Sequence, residues 1–192
     1  MAKKEFTGVN VTTPLCRLAF PFVFSKTTNL NGKEEYSVAM VFDKDADLSK
    51  LKAAIIQAAK NEFGPDVDLK TLDLKRIRDG NTMGREEFKD KWVIRAKTAL
   101  GQPGVVDKQL NKIIDPSEIY SGVYAHVNIT AKAYTLPSKG VTFYLNHVQK
   151  VKDGEPFSMR SKPADVFEEL DIPEGDGATA SAGNAEMEGM FS

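Results

Sequence analysis

The stretch from Gly122 to Tyr134, GVYAHVNITAKAY, constrains the fold more than any other part of the chain. Val123, Ala125, Val127, Ile129, Ala131 and Ala133 are apolar, and the residues between them, Tyr124, His126, Asn128, Thr130, Lys132 and Tyr134, are polar or amphipathic. A period of two over that length specifies a strand with one face buried and one face in water. The turn-like LPSKG from Leu136 to Gly140 follows, and then a second strand-like run from Val141 to Lys152, so the two form a β-hairpin. If Leu136 and Gly140 close the turn, Lys132 falls opposite Tyr144, His126 opposite Lys150 and Tyr124 opposite Lys152. The polar face then interleaves rings with cations, the combination on which bases stack and phosphates pair. The ordinary alternative is a solvated sheet face whose tyrosines pack across strands. In the same register His147 points into the core.

Other segments add to the sheet. LCRLAFPFVF, from Leu15 to Phe24, is dense in β-formers, with Pro21 marking a bulge or an edge. YSVAMVF, from Tyr36 to Phe42, is a near-continuous apolar run that suits a well-buried strand. WVIRAK, from Trp92 to Lys97, alternates Trp92, Ile94 and Ala96 with Val93, Arg95 and Lys97. One amphipathic helix is legible: acids from Asp43 to Asp47 precede Leu48, Leu51, Ile55, Ala58 and Ala59 at helical spacing, and Gly64-Pro65 ends it. Residues 66–91 read as a polar loop with Lys75, Arg76 and Arg78 close together, and Gly101–Asp107 as a tight turn into a short extended piece. Five short strands and one helix predict a mainly β fold, a five-stranded OB-fold-like barrel.

Charge divides the chain. Residues 1–162 hold 26 Lys plus Arg against 19 Asp plus Glu, a net of +7, and residues 163–192 hold 8 acids and no Lys or Arg, a net of −8. The expected organisation is a basic nucleic-acid-binding body over 1–162 and an acidic, disordered tail over 163–192. Within the tail, Met190 and Phe191 form an apolar hook among Glu186 and Glu188 that suits a partner protein.

Several chemistries are set aside. One cysteine excludes an internal disulfide, and His126 and His147 make no metal-ligand spacing with Cys16. Cys16 lies in an apolar strand and is expected to be packed rather than reactive. Gly32-Lys33 lacks the rest of a phosphate-binding loop, and Asp66 and Asp68 lack a second acidic arm for a metal-dependent nuclease. No catalytic residue, metal or cofactor is expected. No apolar run reaches the roughly 18 residues of a membrane span and no signal peptide is evident, so the expected location is the cytoplasm, with no membrane partner.

The motifs in order resemble a family of tailed-phage single-stranded DNA-binding proteins with an OB-fold. The matching segments are RLAFPFVF (Arg17 to Phe24), YSVAMVFDKD (Tyr36 to Asp45), IRDG (Ile77 to Gly80), KWVIRAK (Lys91 to Lys97), PGVVD (Pro103 to Asp107), YSGVYAHVNITAKAY (Tyr120 to Tyr134) and KGVTFYLNHVQKVKDGEP (Lys139 to Pro156). The resemblance implies sequence-independent binding of single strands in phage replication or recombination, with the acidic tail contacting a polymerase, helicase or primase. One departure is that Phe191 is followed by Ser192, where such proteins often finish on an aromatic.

The residues expected to meet phosphate are Arg76, Arg78, Arg95, Lys97, Lys132 and Lys150, with His126 as a solvated or phosphate-facing ring. Those expected to stack on bases are Tyr124, Tyr134 and Tyr144, with Trp92 divided between stacking and core. Two rival readings are a metal-dependent nuclease or strand-annealing protein, and a structural module that acts through its acidic tail.

Overall fold

A computed structural model describes residues 7–157. The tail, its expected disorder, the domain boundary at residue 162, and Met190 and Phe191 all lie outside the described residues. Within them the elements are β1 (Val9–Thr12), β2 (Cys16–Thr28), β3 (Glu34–Asp43), α1 (Ser49–Phe63), β4 (Ile77–Asp79), β5 (Lys91–Thr98), β6 (Gly104–Val106), β7 (Tyr124–Tyr134) and β8 (Gly140–Lys152). No helix among the described residues is long and apolar enough to cross a membrane.

Five strands pair in a ring. β2 pairs with β3, β3 with β5, β5 with β8, β8 with β7, and β7 returns to β2. Only the β5–β8 contact in this ring is parallel. This is the five-stranded barrel expected from the strand count, of the OB type. β1 adds to β7, β6 adds to β8, and β4 lines β5 where β8 does not reach. The reading of 66–91 as a loop therefore needs correction: three of its residues form β4. A three-residue strand is too short to show a period.

Val123 and the inward residues of β7, Ala125 to Ala133 at every second position, meet Leu18, Val38, Met40, Phe42, Ile94 and Phe143 in one core. α1 packs Leu51, Ala54, Ile55, Ala58 and Ala59 onto the same core; four of these are in the stripe that the sequence spacing marked, Ala54 is added, and Leu48 stands as the N-cap before the helix. Cys16 is buried there, its Sγ donating to the Ala125 carbonyl at 3.3 Å. Burial pushes its thiol up to about 12, which keeps it un-ionised and unreactive.

The hairpin register departs from expectation everywhere but at the Tyr124–Lys152 pair. Tyr134 pairs with Gly140, so Lys132 faces Thr142 and Tyr144 faces Thr130. Two irregularities, at Asn128/Ile129 and Tyr124/Ala125, then shift the pairing, so that His126 faces Gln149, Ala125 faces Lys150, and Tyr124 faces Lys152 as expected. The shift near Asn146 also reverses which side of β8 points inward. Val148 is buried in place of His147, and His147 is exposed, its Nδ1 accepting the Gly104 N–H at 3.2 Å. An extra residue exchanges the two faces of a strand.

β2 is bulged where Pro21 stands. Ala19 pairs with Ala39 and Phe22 with Ser37, so β2 takes three steps against two on β3. Phe20 adopts φ +49 at this point, a conformation that few L-residues take. Pro21 has no N–H for the ladder. The outcome is that Ala19, Phe20 and Phe22 all serve the outer surface, where strict alternation would have sent Phe20 and Phe22 to the face opposite Ala19.

Candidate nucleic-acid interface

Outside the barrel, Ala19, Ala39, Val41 and Val93 make a second small core, capped by the fully buried Phe88 and bordered by Phe20, Met83 and Phe157. Phe88 meets Phe20 and Phe157 edge-on, with ring centroids 6.3 and 6.1 Å apart. The segment carrying Phe88 lies close to the sheet because Gly80 has no side chain: a Cβ there would collide with the Phe88 carbonyl. Removing the Phe88 ring would cost about 3–5 kcal/mol by cavity formation. This plug divides the outer face of β2, β3 and β5 into two ends.

At one end lies a cleft of about 380 Å³, lined by Phe20, Phe22, Met83, Lys75, Arg76, Arg78 and Arg95 with Ala39 and Val93 beneath. The strands explain the gathering. Arg78 pairs opposite Val93 and shares its outward side, Arg76 presents its carbonyl to the Arg95 N–H, and Arg95 is two residues further along the same face. Arg95 is held by a hydrogen bond to Ser37 Oγ at 3.4 Å. None of Arg76, Arg78 and Arg95 forms an ion pair with a described carboxylate. Lys75 differs: its Nζ is 2.8 Å from Asp73, and that hydrogen bond holds the Asp73 carboxyl down at about 2. Arg85 lies over the Phe20 ring at 5.1 Å.

The row continues from Arg95 to Lys97, which pairs with Tyr144 across the parallel β5–β8 contact. Tyr144 is exposed. Lys97 is partly neutralised by Glu35, 2.6 Å away. Burial pushes the Glu35 carboxyl up, but hydrogen bonds from Lys97 and Asn29 outweigh it and leave the group below its ordinary value.

The remaining expected residues lie elsewhere. Tyr124 is beyond the plug, with Arg17 at 5.5 Å and Lys152 at 4.6 Å from its ring. Arg17 also donates to the carbonyls of Gly122 and Glu155 and lies over Phe157 at 4.3 Å. His126 donates from Nδ1 to the Thr13 carbonyl at 2.9 Å. Beside it, Asn128 bonds Asn10 and Thr12, and Asn146 bonds Asn128 and Thr130. Lys150 is tucked between Glu118 at 2.7 Å and Asp153 at 2.9 Å, with its side chain 13% exposed. Lys132 lies diagonal to Tyr144 on the outer hairpin face. Tyr134 is half-buried beside Asp73, and burial followed by that carboxylate raises its hydroxyl above the ordinary value. Trp92 turns inward to pack on the main core, with Lys44 over its ring at 3.6 Å. It lines a separate cavity of about 440 Å³ with Leu51, Ile55 and Ile94.

Thus Arg76, Arg78 and Arg95 meet in one cleft, Lys97 and Tyr144 extend it, and Tyr124, His126, Lys150 and Trp92 stand apart. Phe20 and Phe22, the rings of the cleft, were not among the expected stacking residues. In an apolar run they read as core; the signal that marks them is a proline between two phenylalanines within a strand.

The comparisons with known proteins agree with this architecture. No curated protein sequence matches. The single-stranded DNA-binding protein of bacteriophage Enc34 in complex with ssDNA superposes with a TM-score of 0.64 and 24% identity, covering 82% of this chain and 97% of that one. A C-terminally truncated form of the Enc34 protein gives 0.62 and 25%, covering 81% and 96%. The bacteriophage T7 single-stranded DNA-binding protein gp2.5 shares the fold at a TM-score of 0.54 and 16% identity, covering 91% and 100%. The family described as "Enterobacter phage Enc34, ssDNA-binding protein" matches residues 9–177, most of the chain, and this protein belongs to that family.

Proposed function

We propose that this chain binds single-stranded DNA without strong sequence preference, and that it acts by binding rather than by catalysis. The observation that carries the proposal is the cleft in which Phe20 and Phe22 lie among three arginines that form no ion pair with a described carboxylate. Unstacked bases offer ring faces to the two phenylalanines, and phosphates offer charge to Arg76, Arg78 and Arg95. Lys97, Tyr144 and Lys132 extend the track round the barrel. Duplex DNA stacks its bases against one another and cannot supply the first of these terms. The protein would coat unwound strands in phage replication or recombination. The acidic segment 163–192, with Met190 and Phe191, would recruit replication proteins.

Fluorescence anisotropy with labelled oligo-dT and a duplex of equal length tests this. Single strands should bind more tightly, and neutralising about four phosphates should give a log-log salt slope near −2.8. Equal or tighter binding to the duplex would overturn the proposal.

A further inference from the structure

The connection between β2 and β3 holds a leucine, Leu30, fully in solvent. Single exposed leucines are ordinary, but this one is held on a stiff support. The Asn29 side-chain carbonyl accepts the N–H groups of Asn31 and Lys33 at 2.9 and 3.1 Å, and Gly32 completes the turn at φ +73. The Asn29 amide donates to Glu35 at 3.1 Å, and Glu35, a carboxylate only 7% exposed, accepts from Lys97. The turn is therefore tied through a buried charge to the cation that follows Arg95 along the cleft.

Thr98 pairs with Tyr36 at the same end of the barrel, which places a second exposed leucine, Leu100, on the neighbouring connection. Lys26, whose Nζ is 5.7 Å from the Tyr36 ring centroid, precedes Leu30 in sequence and Lys33 follows it. An exposed apolar side chain at the tip of a hydrogen-bonded turn, with lysines on both sides in sequence, matches the residues that other DNA-binding proteins insert between base steps.

We propose that the β2–β3 tip is a wedge: Leu30 enters the base stack where single strand meets duplex, while Lys26 and Lys33 hold the flanking phosphates. The inference rests on the proposed single-strand track, because the wedge works only if the strand leaving the junction runs along Lys97 into the cleft. Its consequence is that the opening of a terminal base pair next to bound single strand depends on this one side chain and not on coating alone.

The test uses the full chain, a forked DNA carrying 2-aminopurine in its first base pair, and oligo-dT. Leu30→Ser should slow fork opening about tenfold by removing the unstacking side chain. Its oligo-dT affinity should stay within about twofold, as for an exposed substitution off the contact path. Leu30→Met should keep the opening. Unchanged opening in Leu30→Ser overturns the wedge, and so does an equal loss of opening and oligo-dT affinity, which would make Leu30 an ordinary contact. A wild-type protein that binds oligo-dT without opening the fork overturns the wedge alone; one that fails to bind oligo-dT overturns the functional reading beneath it.

Discussion

The outer face of the β7–β8 hairpin and the outer face of β2, β3 and β5 belong to one barrel, yet they use their side chains in opposite ways. The hairpin face bonds to itself. His126 bonds to Thr13 just beyond β1, Asn128 and Asn146 bond to neighbouring strands, Lys150 lies between two carboxylates, and Tyr124 is flanked by cations. Tyr124 and Tyr134 are also ten residues apart on one strand, about 33 Å at the usual rise, too far to form one stacking platform. The bulged face leaves its groups open: Phe22 is 38% exposed, and among the described residues the three arginines beside it form no ion pair. A regular alternation of rings and cations along a strand thus builds a sheet, whereas the break in alternation at Phe20-Pro21 gathers rings and charges for a ligand.

The largest effect that sharpens this comparison is the loss of a cleft ring. Phe22→Ala should lower single-strand affinity by about 1–3 kcal/mol with the salt slope nearly kept, whereas Tyr124→Ala should change it by less than about 0.5 kcal/mol. Anisotropy titrations at several salt concentrations measure both; a larger loss in Tyr124→Ala would reverse the assignment of faces. Next, Arg95→Ala should flatten the log-log salt slope by about 0.7 for its lost phosphate. Lys97→Ala should flatten it less, because Glu35 already neutralises part of that charge.

A smaller effect concerns the acidic segment. Deleting residues 173–192 removes Glu174, Asp176, Glu186 and Glu188, half of the eight acids beyond residue 162, and no Lys or Arg. Single-strand affinity should rise, most at low salt, because the attached negative charge opposes the DNA field until screening shortens its reach. Unchanged affinity at low salt would contradict this.

The smallest effect is on stability against pH. Glu35 is held below its ordinary 4.5 and Asp73 at about 2 against an ordinary 3.8. Groups depressed in the folded state stabilise it above their unfolded values, and that contribution is lost as pH falls through the folded ones. Tm should therefore fall as pH drops below about 4.5, and Glu35→Gln should be less sensitive over that range, as read by thermal melts. A Tm that rises on acidification would contradict the role given to these carboxylates.

The fold was legible where the pattern was long and regular. β7, the apolar run of β3, the stripe of α1 and the OB-type barrel follow from periodicity and strand count, because burial on one face imposes a repeat. The hairpin register was legible only at Tyr124–Lys152, since two irregularities fall between that pair and the turn, and a one-residue shift leaves no mark on composition. The candidate cleft was half legible as a gathering of residues. Arg76, Arg78 and Arg95 stood out by charge, but in an apolar run Phe20 and Phe22 read as core rings, and only the proline between them hints that they turn outward. Their placement depends on the left-handed backbone at Phe20 and on Phe88, 66 residues later than Phe22, which supports Phe20 from the side.

Photocrosslinking addresses the division between the two faces without altering the protein. An oligo-dT of about 15 nucleotides, near the upper site size of one OB fold, would carry 5-iododeoxyuridine at successive positions and be irradiated in complex with the full chain. Peptide mapping should place the crosslinks on Phe20 and Phe22, with a second group at Tyr144. Crosslinks confined to Tyr124 and Tyr134, with none on Phe20 or Phe22, would contradict the assignment of the single strand to the bulged face.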